Sequence, residues 1–180
     1  MNNRKLHIKS LIIGCFYLSF PFANAMNAPI NITGTIYSPP CKIENDKNFK
    51  VSFGKISLQK VNGMNYATQA TVMISCSYFQ GQPYIHLSGG TGLLPGAPDN
   101  VLKTTGVNHL ALGIALYQGQ GVDSKTPLRV GNRHEIIKGL SAVNKRNSKF
   151  TFTAVPYKKD STKLEAGTFN ASVMMNISYH

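Results

Sequence analysis

The sequence predicts an all-β sandwich, and three observations carry that prediction. The last fifteen residues alternate apolar and polar side chains, and turn-forming residues recur every ten to twenty positions along the chain. No segment repeats its apolar residues at the helical period of 3.6.

The first residues read as a secretory leader rather than as part of the fold. Arg4, Lys5 and Lys9 precede an apolar run over 11–22, which closes on Ala23-Asn24-Ala25, a small-x-small cleavage pattern. The run is too short to span a bilayer. Cleavage after Ala25 leaves a mature chain of 155 residues, enough for one domain with a proper core. It also removes Cys15, so Cys41 and Cys76 remain as an even pair in a chain bound for an oxidising compartment. A disulfide between them is the economical reading. The competing reading, a two-cysteine metal site, lacks histidine or cysteine partners at ligand spacing.

Without Arg4, Lys5 and Lys9 the balance is sixteen bases against seven acids, a net charge of +9. Many of these bases cluster between Lys138 and Lys163 without interleaved aromatics, so nucleic acid is not the expected partner. A solvated face or a docking surface for an acidic partner fits an exported protein better.

Residues 26–37 alternate, with Ala28, Ile30, Ile32, Gly34 and Ile36 on one side, and predict a strand with one apolar face. Pro39-Pro40 then favours an extended course over a tight hairpin. Short strands are expected over 41–43 and 49–53, split by the turn at Asn45-Asp46-Lys47-Asn48. A longer one over 70–78 places Cys76 on the buried side. Residues 84–87 make another strand, and 89–100, rich in glycine and proline, read as irregular surface. Residues 109–117 are nearly continuously apolar, as a central strand covered on both faces requires. Strands over 128–130, 135–140 and 150–155 follow. The last is 169–179, with Phe169, Ala171, Val173, Met175, Ile177 and Tyr179 on one face; only Met174 breaks the alternation. About seven strands and one buried disulfide suggest an immunoglobulin-like sandwich.

No catalytic constellation emerges. Ser57-Leu58-Gln59-Lys60 has the S-x-x-K spacing without its companion motifs. The histidines are dispersed, and seven acids in the whole chain form neither a triad nor a carboxylate pair. No enzyme activity, metal site or cofactor is expected. Two complementary features survive: an apolar arm at the N-terminus that cannot easily serve its own domain, and a last strand with no neighbour beyond it.

Gly167 stands fourteenth from the C-terminus and Tyr179 is penultimate. Ile30, Ile32, Gly34 and Ile36 alternate just ahead of Cys41, and Gly113-Ile114-Ala115-Leu116-Tyr117 is followed by Thr126-Pro127-Leu128. In these motifs the whole mature chain resembles the pilins of chaperone-usher fimbriae, and within them the minor tip-adaptor subunits. The resemblance implies an incomplete immunoglobulin-like β-sandwich lacking its seventh strand over 38–180, preceded by a donor-strand extension over 26–37. It implies donor residues Ala28, Ile30, Ile32, Gly34 and Ile36. It implies an acceptor groove and chaperone-binding strand at Gly167, Phe169, Ala171, Val173, Met175, Ile177, Tyr179 and His180. The partners implied are a periplasmic pilus chaperone, an outer-membrane usher and neighbouring pilins including a tip adhesin, with export through the periplasm to a cell-surface fimbrium. A rod or terminating subunit is the alternative within the family. A secreted lectin-like sandwich, which would need a self-complete sheet, is the alternative outside it.

Overall fold

The computed structural model describes residues 29–160 and 162–180; the expected leader and Ala28 lie outside them. The chain divides into two units, one ending at Thr35 and one running from Ile36 to His180. In the first, residues 29–35 join no ladder, Ile30 and Ile32 are exposed, and open space surrounds the Cα of Gly34.

The second unit is a two-sheet sandwich of eight strands: β1 (Lys42–Ile43), β2 (Thr68–Ser75), β3 (Pro83–Ser88), β4 (Val101–Lys103), β5 (Leu112–Gln118), β6 (Arg133–Glu135), β7 (Asn147–Lys158) and β8 (Met174–Tyr179). One sheet has the order β1-β2-β7-β5-β4 and the other the order β6-β3-β8, with every ladder antiparallel. The incomplete immunoglobulin-like expectation is borne out. Alternation in β2 sends Ala70, Val72 and Ile74 inward, where they meet Phe150 and Phe152 of β7 and Ile85 and Leu87 of β3 in one core. The disulfide joins Cys41 to Cys76 at the edge of that core, with both cysteines buried. A crosslink separated by 35 residues contributes about 3 to 4 kcal/mol in the chain-entropy account. Replacing both cysteines with serine should therefore abolish the folded state of the lone chain or lower its urea midpoint sharply, and reductant should reproduce the loss in the native chain.

β5 is buried on both faces, as its continuous apolar run requires. Its outer face is covered by Leu94 and Val101, which close a second, smaller core with Ala115 and Val155. Residues 89–100 are thus a cover over the large sheet as well as a loop, and the β4 that follows was not expected from the sequence. The strand expected over 109–117 begins only at Leu112, because 108–111 form a turn in which Asn108 O accepts from Ala111 and Leu112 N–H. The strand expected over 135–140 lies instead at Arg133–Glu135, in register with β3. Residues 128–130 contribute an isolated bridge, Leu87 to Val130. Residues 49–53 form no ladder at all.

Candidate functional site: an open groove beside the last strand

Residues 169–179 keep their period of two throughout. Phe169, Ala171, Val173 and Met175 are half-buried, Ile177 and Tyr179 are buried, and Met174 is exposed with the even-numbered row. Backbone pairing divides the stretch in a way the side chains do not. From Met174 to Tyr179 the chain pairs with β3, Ile177 standing opposite Ile85 and Met175 opposite Leu87. Before that, loop residues hold the same inner edge: Thr105 N–H donates to Asn170 O at 2.8 Å and Thr91 N–H to Ser172 O at 3.0 Å. Asn108 fixes the approach, its amide donating to Glu165 O and its side-chain carbonyl accepting from Glu165 N–H, both at 2.8 Å.

Gly90 and Gly106 make this arrangement possible. Both have positive φ, +70° and +90°, and a Cβ on either would collide with backbone, that of Ser172 for Gly90 and of Thr168 for Gly106. Gly90→Ala should displace 170–173 from the loop and cost more than the usual ~1 kcal/mol glycine effect. Thermal melting together with faster hydrogen exchange confined to that segment would report it.

The outer edge is another matter. Carbonyls alternate sides along a strand, and the odd-numbered ones face outward here. Cys41 N–H donates to Ile177 O at 2.7 Å, and Ser38 Oγ donates to Tyr179 O at 2.7 Å, closing the C-terminal end. Phe169, Ala171, Val173 and Met175 present their N–H and C=O groups to that same edge with no backbone partner among the described residues. Facing them is the segment 49–56, where Val51 and Phe53 are half-buried and, with Phe169, Ala171, Val173 and Met175, pack against the main core. The Phe53 and Phe169 ring centroids are 6.2 Å apart, in a tilted contact. Beyond Phe169 the groove ends in a cavity of about 150 Å³ whose lining includes Ile56, Leu58, Val61, Leu112, Leu164 and Gly167.

The groove therefore has the length of a short β-strand, an apolar floor, one rim of unused backbone donors and acceptors, and a stop at each end. An added strand with alternate apolar side chains is the ligand such a surface fits.

Comparison with known proteins agrees with this shape. A family model described as fimbrial protein matches residues 30–180. The chain belongs to the fimbrial protein family. This fimbrial subunit is 39% identical over 152 residues to the fimbrial adapter PapF of Escherichia coli, covering 84% of its own chain and 87% of that protein. It is 36% identical over 155 residues to the minor fimbrial protein PrsF of Escherichia coli, with the same coverage of both chains. A solved structure described under the heading of polymerization reactivity of the P pilus adaptor subunit PapF aligns with a TM-score of 0.55 at 33% identity, over 81% of this chain and all of that one. The P pilus rod subunit PapA shares the fold, with a TM-score of 0.59 at 18% identity over 84% of this chain and all of that one. These relatives make the protein a minor, adapter-type fimbrial subunit, and place it in a structural family of the cell-surface fimbrium.

In this fimbrial subunit the residues expected along the last strand lie on one continuous surface. Gly167 lines the end cavity and packs beside Val107, Phe169 through Met175 form one wall, and Ile177 and Tyr179 reach into the core. Burial pushes the Tyr179 phenol above its usual value, and its hydroxyl is buried with no hydrogen-bond partner among the described residues. His180 is pinned by Gln82, whose N–H donates to His180 O at 2.9 Å and whose carbonyl accepts from His180 N–H at 3.0 Å. The facing wall, Val51 and Phe53 with Ile56 and Leu58, was missed as part of the site. Its signal was present in the apolar alternation of Phe49, Val51 and Phe53, read as an ordinary short strand. Of the residues expected to act as donors, Ala28 lies outside the described residues, and Ile30, Ile32 and Ile36 are exposed.

Proposed function

We propose that this subunit is assembled into its fimbria by donor-strand exchange, joining a tip adhesin to the rest of the fibre. In the periplasm a chaperone strand fills the groove beside 169–175, with chaperone cations holding the terminal carboxylate of His180. At the outer-membrane usher, the N-terminal arm of the next subunit replaces it. The arm of this chain, Ala28 to Ile36, fills the groove of the subunit ahead, with Gly34 where that neighbour leaves room for no side chain.

The observation that carries this reading is the row of N–H and C=O groups on Phe169, Ala171, Val173 and Met175, unpaired among the described residues, above a half-covered core. Magnitudes support it. Burying three isoleucines and an alanine contributes roughly 6 to 8 kcal/mol at most, before the ordering entropy of the arm is subtracted. Typical domains are stable by only about 5 to 15 kcal/mol. A subunit with an empty groove is marginal, and one with a filled groove is not.

The test is denaturation of the purified mature chain, alone and with a synthetic peptide of its arm sequence. The lone chain should aggregate or unfold at low urea, and the peptide should raise the midpoint and the cooperativity. A chaperone-free monomer that melts sharply and ignores the peptide would overturn the proposal.

A further inference from the structure

The two walls of the groove differ in charge. On the facing wall Lys47, Lys50, Lys55 and Lys60 are all exposed. The ion pairs among the described residues are Lys42 with Asp46, Arg129 with Asp99 and Lys138 with Asp123, and none involves these four lysines. Between Asp46 and Asp99 the sequence has no carboxylate, and 166–180 carries neither acidic nor basic side chains apart from His180. Glu165, exposed at the approach to the last strand, is the nearest acid in sequence to that strand, and Asp46, paired with Lys42, is the nearest to the facing wall.

A strand lying in the groove turns alternate side chains inward, onto Phe53, Phe169, Val173 and Met175. It turns the others outward, between the neutral row Asn170, Ser172, Met174 and Asn176 and the cationic row led by Lys50 and Lys55. One strand spacing is about 4.8 Å, and the Debye length at physiological ionic strength is about 8 Å. The outward side chains of the occupant therefore lie inside the field of these lysines. The arm of this chain supplies nothing to match them, since 26–37 contains no charged side chain.

We propose that the strand completing this groove in the fibre carries carboxylates on its water-facing side, so that charge favours a different subunit over a second copy of this chain. This rests on the donor-strand reading above. Exposed ion pairs add little equilibrium affinity, whereas a field of one sign acts on the rate of encounter. The lysines thus select during capture, and the apolar floor holds what has been captured.

The experiment compares three synthetic peptides of residues 26–37 on the intact mature chain: the native sequence, one with Thr33→Asp and Thr35→Asp, and one with Thr33→Lys and Thr35→Lys. All three keep Ile30, Ile32, Gly34 and Ile36. Association rates are read by stopped flow in 20 mM and 500 mM sodium chloride. In low salt the aspartate peptide should associate about fivefold faster than the native one or better, and the lysine peptide more slowly than either. High salt should bring the three together, and so should Lys50→Gln with Lys55→Gln in the protein. Equal rates for three peptides that all bind would overturn the charge selection and leave donor-strand addition standing. So would a difference that survives high salt or the double substitution. Failure of every peptide to bind would overturn the donor-strand reading itself, and the charge selection with it.

Discussion

Deleting residues 27–36 should leave chaperone capture intact and abolish incorporation of the subunit into fibres. In the proposed function the groove and the arm belong to different steps. The groove is built from Phe53, Phe169, Ala171, Val173 and Met175 within the unit from Ile36 onward, and deleting the arm removes none of those residues. What the deletion removes is the row of isoleucines that would complete the neighbour ahead, worth roughly 6 kcal/mol of apolar burial at about 2 kcal/mol each. Co-purification with the chaperone should be unchanged, and the subunit should disappear from sheared fibres on an immunoblot. Incorporation at the normal level would remove the donor role from Ile30, Ile32, Gly34 and Ile36.

Tyr179→Ala should act earlier, depleting the protein from the periplasm before assembly begins. The ring is 1% exposed and belongs to the main core with Ile177. Truncating a buried aromatic to alanine costs about 3 to 5 kcal/mol, close to the whole stability of a sandwich with an open groove. The same change removes a side chain from the end of the strand that the proposed function assigns to the chaperone. Tyr179→Phe separates the two losses, since it keeps the ring and removes only the hydroxyl. It should restore most of the abundance. Normal abundance of Tyr179→Ala would show that the penultimate ring is dispensable for capture.

The parts of the molecule legible in the sequence are those governed by local periodicity. Alternation over 169–179 predicted which side chains face the core, including the outward place of Met174, and the continuous apolar run predicted the double burial of β5. The even cysteine count predicted the disulfide. Less legible were features set by contacts distant in sequence. Residues 170–172 look like ladder strand yet are held by Thr91 and Thr105, because loops replace a strand at that edge. Leu94 sits in a stretch whose glycines and prolines predict surface, yet it is 1% exposed because it covers the outer face of the large sheet. The facing wall was missed for a related reason. Val51 and Phe53 carry a strand pattern, but whether such a segment pairs or stands open depends on what lies beside it, and periodicity does not encode that.

The same distinction separates the groove from the arm. An edge without partners among the described residues is visible in one chain, as unpaired groups on four alternate residues above a half-buried core. On the proposed function the strand that fills it belongs to another molecule, so its identity is read from the assembly. The measurement that tests this most directly is mass spectrometry of cross-linked fibres. The account predicts cross-links between residues 169–175 of this subunit and the N-terminal arm of a different subunit, and between its own residues 28–36 and the groove of the subunit ahead. Fibres in which 169–175 cross-link only to segments of the same chain, or in which 28–36 join no neighbour, would contradict it.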